Sequence, residues 1–328
     1  MGSENAPAAI AFASAAEADR RIAGVAAAGR AVRAAVEAGA QAVRLRLGDG
    51  AALAPATLTD LERLRGRANV AIEAGAVERS ESLPSSWAVI RATGKSGDGP
   101  VSRWLNRPIS QRITWLVLTF PGVRPIHATA ATALLALAMA ASLLSGGAAG
   151  LILGGVLFQA ASVVDGVDGE IARTTWRSSA AGAALDSAVD LVTNFLFIFC
   201  LTVALALRDG PWIAWVGGCG LVLFAIGAAL IGWNGRRVGA SLGFELVKQH
   251  TARRAGSPRA ALAKAATIVS SRDFFALLFM TLILAGLERA IPYIFASAAI
   301  VWIPVVVGTI LAGPGRSPGG EAPCRGAA

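Results

Sequence analysis

The most informative stretch of the chain reads Asp165-Gly-Val-Asp168-Gly-Glu-Ile-Ala-Arg173, then eight residues, then Gly182-Ala-Ala-Leu-Asp186-Ser-Ala-Val-Asp190. It places four aspartates inside one of the most apolar regions of a chain that is 55% hydrophobic. A carboxylate is costly to keep close to hydrocarbon, so an ionisable residue there is by default a candidate functional residue. The stretch therefore points to a membrane protein and marks where its chemistry is expected.

Long uncharged segments around this stretch predict membrane-spanning helices. Only 16% of the residues are charged, against roughly 25% in soluble proteins, and a span needs about 20 apolar residues. Residues 126–164 suit two spans joined at Ser145-Gly146-Gly147, and further segments are 191–207, 210–235, 274–287 and 290–315. The predicted fold class is mainly α and polytopic, with six transmembrane helices, of which the fifth is unusually short.

A small α/β unit is predicted before the spans, over residues 1–95. Strand-like segments at 10–14, 43–47 and 69–73 alternate with helical ones at 23–38 and 57–65, a pattern that favours a parallel sheet. Residues 96–125 are predicted to form a linker and a juxtamembrane amphipathic helix that lies in the membrane interface. The six-helix domain is assigned to 126–312 and a cytoplasmic tail to 313–328.

The basic residues predict an orientation in the inner, cytoplasmic membrane. With the N-terminus in the cytoplasm, nearly all Lys and Arg near the spans fall on the inside, and only Arg208 and Arg289 fall outside. The aspartate stretch then faces the cytoplasm. The net charge of +9 is explained by this topology and by contact with anionic membrane lipids. Nucleic acid is not expected as a partner, because the basic residues are not interleaved with aromatic ones.

The spacing of the aspartates predicts a metal site. Asp165 and Asp168 are three residues apart and Asp186 and Asp190 are four apart, so on helices each pair shares a face. Only Arg173 and Arg177 are near in sequence to balance their charge. Carboxylates gathered at neighbouring helix ends repel one another unless cations fill the site. Hard divalent ions such as Mg²⁺ or Mn²⁺ prefer oxygen ligands, and together with an arginine they suit phosphoryl-type transfer.

The order of these residues resembles the signature of the CDP-alcohol phosphotransferase family, D-x-x-D-G-x-x-A-R-x8-G-x3-D-x3-D, at all eight fixed positions. The resemblance implies that CMP is released from a CDP-linked donor when an acceptor alcohol attacks, and that the protein is a homodimer. Asp190 is implied to take the proton of the acceptor. Two ions, Mg²⁺ or Mn²⁺, are implied at Asp165, Asp168, Asp186 and Asp190, and donor contacts at Gly169, Ala172, Arg173 and Gly182.

Two further segments resemble the inositol-phosphate-type synthase branch of this family: 95–110, and Arg272-Asp273-Phe274-Phe275. In bifunctional members of that branch, the membrane domain follows a cytidylyltransferase domain. The glycine-rich G-x-G-x-R loop expected there is absent after residues 10–14. Residues 1–95 are therefore interpreted as a degenerate remnant without catalytic activity.

The leading interpretation is phospholipid biosynthesis, with transfer of a substituted phosphate from CDP-diacylglycerol to an alcohol. Five basic residues are candidates for holding a phosphorylated acceptor: Arg236, Arg237, Arg253, Arg254 and Arg259. Two alternatives stay open. One is a di-inositol-phosphate-type synthase that uses CDP-inositol, and the other is a non-enzymatic membrane scaffold or transporter built on the same fold.

Overall fold

The computed structural model describes residues 7–64, 66–95, 97–238 and 272–312. The chain folds into two compact units, each assembled from separate stretches of sequence. The first unit comprises Met1–Asp98, Arg107–Ala128 and Gly166–Ser178, and the second comprises Gly99–Asn106, Thr129–Asp165 and Ser179–Ala328.

A three-stranded parallel sheet organises the first unit. Its strands are β1 (Ala8–Phe12), β4 (Ala42–Leu47) and β5 (Asn69–Ala74), in the order β1-β4-β5. The helices are α1 (Ala15–Asp19), α2 (Ala27–Glu37), α3 (Pro55–Glu62) and α4 (Ser86–Arg91). The three predicted strands, their parallel pairing and both predicted helices are confirmed.

Apolar residues and arginines alternate along β4, and this pattern explains how the sheet is stabilised. Val43, Leu45 and Leu47 are almost fully buried in a core that also contains Phe12. Because successive side chains of a strand point to opposite faces, the arginines between them point away from this core. The sheet therefore buries one face, as expected for a small half-covered sheet.

A short hairpin, β2 (Arg21–Ile22) and β3 (Val25–Ala26), was not predicted. Its two turn residues, Ala23 and Gly24, have φ angles of 46° and 82°. Such a turn usually carries Asn-Gly or Asp-Gly, and Ala-Gly gives a much weaker signal. The hairpin contributes to the wall of a cavity described below.

The amphipathic juxtamembrane segment folds as a π-helical turn, Ser102–Asn106, followed by α5, Arg107–Val117. A helix packed on the core of a soluble protein buries its apolar side chains and exposes its polar ones, and α5 shows the opposite pattern. Ser110 and Thr114 are buried, whereas Trp115 is 48% and Leu116 56% exposed. Large apolar groups that face outwards suit a helix that lies in a membrane interface.

Long apolar helices make up the rest of the described chain and confirm a polytopic membrane fold. They are α6 (Pro125–Leu144), α7 (Gly147–Thr175), α8 (Ala180–Asp209), α9 (Trp212–Val238), α10 (Arg272–Leu284) and α11 (Ala290–Ala312). Among the described residues, five are long and apolar enough to cross a membrane. The predicted fifth span corresponds to α10, which has 13 residues and follows residues outside the described part. The count of six spans therefore stays a prediction.

Aromatic stacking holds the core of the second unit together. The rings of Phe158 and Phe197 stack with centroids 4.0 Å apart, and Phe279 lies 5.8 Å from Phe197. All three side chains are at most 2% exposed. This cluster joins α7, α8 and α10 within the unit and fixes the helices that carry the candidate site.

Candidate functional site

The aspartates of the motif lie on two long helices, as predicted. Asp165 and Asp168 are one turn apart on α7, and Asp186 and Asp190 are one turn apart on α8. The start of α8 is set by Ser179, whose Oγ accepts a hydrogen bond of 3.0 Å from the backbone N–H of Gly182. A Cβ at position 182 would lie 3.0 Å from that oxygen, so a glycine there keeps the cap intact.

Arg272 is the main site residue to which sequence reasoning assigned no role. In the second unit its Nη1 lies 2.9 Å from Oδ2 of Asp165 and forms an ion pair with Oδ1 of Asp190. Only 12% of its side chain is exposed. The groups of these ion pairs are close together but lack the directions of good hydrogen bonds. One cationic group therefore contacts two of the predicted metal ligands.

This finding corrects the expectation that only Arg173 and Arg177 balance the aspartates. The signal was present in the sequence, as a charged pair directly before the short apolar segment 274–287. Spacing alone could not reveal it, because Arg272 is 82 residues distant from Asp190 in the chain.

A buried polar network fixes the start of α10, next to Arg272. Asn106 donates from Nδ2 to Asp273 at 3.0 Å, and Ser162 donates from Oγ to the same carboxylate oxygen at 2.9 Å. Gln159 in turn donates to Oδ1 of Asn106 at 2.9 Å. Hydrogen bonds in a buried polar network favour one geometry of its side chains. Asp273 is thereby held, and with it the neighbouring Arg272.

The first unit contains a second anchor of the motif, at Glu170. This side chain is fully buried on α7. Its carboxylate accepts hydrogen bonds from Arg107 Nη1 at 2.9 Å, Ser110 Oγ at 2.7 Å and Thr114 Oγ1 at 2.6 Å. A buried carboxylate is tolerated only when it is paired and hydrogen-bonded. Glu170 therefore ties the motif segment of α7 to α5, and the polar burial of α5 is explained.

Arg107 is itself held on its other side by Asp98. Its Nε donates to Oδ2 at 2.8 Å and its Nη2 to Oδ1 at 3.2 Å, a bidentate pair. Burial raises the pKa of Asp98, but the hydrogen bonds and charge of Arg107 outweigh this effect and leave the pKa below its usual value. Asp98, Arg107 and Glu170 thus form an ordered row of charges in which every member is paired.

Arg173 occupies a position suited to an anionic ligand. Its Nε donates to the carbonyl of Thr93 at 3.1 Å, while its buried Nη2 has no hydrogen-bond partner in the part of the chain that the structure describes. A Cβ at Gly169 would lie 2.9 Å from Nη1 of Arg173. The predicted glycine therefore lets the guanidinium lie close along α7, with the half-buried Ala172 beside it.

Whether the motif suits a divalent metal depends on which side chains offer ligand atoms and on how close together they lie. No group of three or more His, Cys, Asp or Glu side chains is gathered as a metal site among the described residues. Asp165 and Asp190 nevertheless share one cation, the Arg272 guanidinium. Two carboxylates that already share a cation suit a hard ion such as Mg²⁺ or Mn²⁺. The complete four-aspartate ligand set stays a prediction.

The candidate acceptor arginines are only partly within the described chain. Arg236 and Arg237 fall in the last turn of α9, and the surroundings of their side chains lie outside the described part. Arg253, Arg254 and Arg259 lie outside the described residues altogether. Their predicted role is untested.

The loop after β1 shows how the α/β unit uses its free backbone N–H groups. The N–H of Ala15 donates to both carboxylate oxygens of Asp49, at 3.1 and 3.0 Å. That of Ala13 donates to Ser80 Oγ at 2.8 Å. In nucleotide-binding loops such N–H groups face phosphate. Here a carboxylate of the protein itself takes that place.

The chain is similar in sequence to a known protein family and to several curated proteins. Residues 124–310 match the sequence profile of the family described as CDP-alcohol phosphatidyltransferase. The bifunctional IPC transferase and DIPP synthase of Rubrobacter xylanophilus is 40% identical over 164 residues, which are 50% of this chain and 34% of that protein. Proteins of the same name from Thermococcus kodakarensis and Aquifex aeolicus are 39% and 41% identical over 109 and 110 residues, or 33% of this chain and 24% of each relative. The matches thus span a quarter to a third of these curated relatives.

Proposed function

Because the chain belongs to the CDP-alcohol phosphatidyltransferase family, we propose that it is an integral membrane phosphotransferase. It moves a substituted phosphate from a CDP-linked donor to an acceptor alcohol and releases CMP. The observation that carries the proposal is the complete motif on two apolar helices, with Asp165 and Asp190 in contact with one cationic group.

The proposed ligands of two divalent ions are Asp165, Asp168, Asp186 and Asp190. When bound, such ions neutralise the charge of a diphosphate and polarise the phosphorus that is attacked. The Arg272 guanidinium would then give up its contact with the aspartates. No other described cation contacts Asp165 or Asp190, so this exchange leaves both carboxylates available.

The protein's own side chains supply the remaining parts of the reaction. We assign Asp190 as the base that takes the proton of the acceptor hydroxyl, while the acceptor oxygen bonds to phosphorus and the bond to CMP breaks. Arg173 offers a buried, unpartnered N–H to a donor phosphate, and an arginine suits phosphate through charge and geometry. The donor can approach the helices closely because the side chains are small or absent at Gly169, Ala172 and Gly182.

CDP-diacylglycerol is the proposed donor, and the role is in phospholipid biosynthesis. A lipid-linked donor reaches a motif on membrane helices from within the bilayer, which supports this choice. CDP-inositol is the second candidate, because several relatives carry the name bifunctional IPC transferase and DIPP synthase. The phosphorylated acceptor is assigned to the five arginines at 236, 237, 253, 254 and 259.

The remaining organisation is proposed on the same basis. Residues 126–312 form the catalytic domain of a homodimer in the inner membrane, with the active site on the cytoplasmic side. Residues 96–125 form the linker and interfacial helix, and 313–328 a cytoplasmic tail. Residues 1–95 have no cytidylyltransferase activity, in keeping with a first loop whose N–H groups are taken by Asp49.

The test is a product assay with purified full-length protein and Mg²⁺ or Mn²⁺. Labelled CDP-diacylglycerol and CDP-inositol are each offered with glycerol phosphate, inositol phosphate and inositol lipids, and products are identified by mass. A lipid product from CDP-diacylglycerol supports the first proposal, and a soluble phosphodiester from CDP-inositol supports the second. A folded sample that forms no product with any pair would leave only the scaffold or transporter.

A further inference from the structure

A cavity in the first unit has no place in the proposed reaction. Its volume is about 430 Å³. Its walls come from the β2–β3 hairpin, the helices α3 and α4, the end of α5 with the loop that follows, and the end of α7. The cavity is therefore built from distant parts of the sequence, all of which belong to the first unit.

The lining of this cavity carries an excess of positive charge. Three arginines line it, Arg21, Arg63 and Arg177, together with one acidic residue, Asp60. Asp60 is 3% exposed, and its carboxylate accepts from Arg21 Nη1 at 2.6 Å and from Arg63 Nη1 at 3.0 Å. One carboxylate thus serves two guanidinium groups and leaves two positive charges uncompensated.

Arg177 is the cation that this carboxylate does not reach. Its Nη1 donates to the carbonyl oxygen of Val123 at 2.9 Å. Within the described ranges, no carboxylate lies at ion-pair distance from it. Burial, followed by the charge of Arg63, lowers the pKa of Arg177. A half-buried guanidinium beside like charges is stabilised when an anion enters.

Part of the cavity lining is apolar and exposed. Trp115 and Phe120 line it and are 48% and 61% exposed. Both belong to α5 and the loop that follows it, where several large apolar side chains are exposed. Aromatic side chains at the level of lipid headgroups are typical of membrane interfaces. A molecule with a phosphate at one end and hydrocarbon at the other would match both the basic and the apolar residues of the lining.

We propose that this cavity binds the phosphate of an anionic membrane lipid, with Arg63 and Arg177 on the phosphate and with Trp115 and Phe120 against the acyl chains. The site is separate from the aspartate motif, and it needs no catalytic activity of the protein. Anionic lipids are attracted to basic groups at the cytoplasmic surface of membranes. Bound lipid would fix the first unit at the membrane surface.

The binding test uses the full-length protein in a neutral detergent. Short-chain phosphatidylglycerol is titrated by calorimetry, with short-chain phosphatidylcholine and inorganic phosphate as separate arms. We expect phosphatidylglycerol to bind and the other two to bind at least tenfold more weakly. Inorganic phosphate that binds as tightly as phosphatidylglycerol would overturn the assignment to a lipid.

Variants locate the site. Arg177→Gln removes the uncompensated cation and should weaken phosphatidylglycerol binding about tenfold or more, as for a lost charged hydrogen bond. Arg91→Gln, on the exposed end of α4 and outside the cavity, removes the same charge and should leave binding unchanged.

A second variant keeps the test decisive if Arg177→Gln fails to fold. Ala56→Glu places a carboxylate on an exposed wall of the cavity and should weaken binding to a similar extent. Phosphatidylglycerol binding that is equal in the wild type and in a folded Ala56→Glu or Arg177→Gln protein would overturn the proposal.

Discussion

Arg107 donates a hydrogen bond of 2.9 Å to Glu170, whose side chain is fully buried on the helix that carries the aspartate motif. The two residues are 63 positions apart in the chain. Through this pair the juxtamembrane helix holds the motif segment of α7 in place. Arg107 is in turn held by Asp98, so the anchor extends into the segment before the membrane domain.

Removing the carboxylate of Glu170 should destabilise the protein strongly. Glu170→Ala leaves Ser110, Thr114 and part of Arg107 buried without an acceptor, and breaking a buried pair costs roughly 3–5 kcal/mol. Glu37→Gln, which removes an exposed i,i+4 partner of Arg33, should cost below about 0.5 kcal/mol. Denaturant unfolding in detergent, followed by circular dichroism, compares the two. Equal losses would show that Glu170 is not an anchor.

A methyl group at position 169 should impair donor binding. In Gly169→Ala the new Cβ would lie 2.9 Å from Nη1 of Arg173, so the guanidinium must shift from its place along α7. We expect the KM for the CDP-linked donor to rise about tenfold, the effect of about 1.4 kcal/mol, with folding retained. Gly218→Ala is the matched control, because a Cβ there meets no atom within 4 Å. An unchanged KM in Gly169→Ala would remove Arg173 from the donor site.

Stability should fall in acid because of Asp98. Its folded-state pKa lies below the usual value, so its pairing with Arg107 contributes fully above the unfolded pKa, near 4. That contribution is lost as the pH falls through the lower, folded pKa. The wild type should therefore lose more stability between pH 6 and pH 3 than Asp98→Asn does. If the free energy of unfolding fell equally with pH in the two proteins, the stabilising role of the Asp98–Arg107 pair would be contradicted.

The confirmed sequence predictions rest on local patterns. Strands β1, β4 and β5 were predicted from short β-rich segments, and the turn between α6 and α7 from Gly146 and Gly147, whose φ angles are 70° and 72°. The family resemblance is confirmed by the profile match. It could be recognised from the sequence because its motif lies within 26 consecutive positions. Periodicity and motif spacing are properties of a single stretch of chain, and the sequence displays them directly.

What the sequence did not reveal depends on long-range pairing. Nothing in the spacing around Glu170 indicates that Thr114, 56 residues earlier, donates to it. Nor does the short segment that starts at Arg272 indicate its contact with Asp165. Such contacts are decided by how helices pack, and many packings are compatible with the same apolar pattern.

Arg272 should compete with divalent ions for the aspartates. In Arg272→Gln, Asp165 and Asp190 lose the cation that they share, so Mg²⁺ gains more by binding. We expect Mg²⁺ to raise the Tm of this variant by at least about 2 °C more than that of the wild type, since a ligand that binds the folded state stabilises it. Arg289→Gln, whose partner is Asp209 at the other end of α8, should respond like the wild type. Identical Mg²⁺ responses in all three proteins would contradict the shared site.

The motif aspartates are proposed to carry out the transfer from a CDP-linked donor. The most direct measurement is CMP release by purified wild type and Asp190→Asn with Mg²⁺, labelled donor and acceptor alcohol. We expect CMP release by the wild type and its loss on chelation of the metal. In the folded variant we expect a rate lower by about 10²–10⁴-fold, with donor binding retained. CMP release by Asp190→Asn at the wild-type rate, or none from folded wild type with any donor, would contradict the proposal.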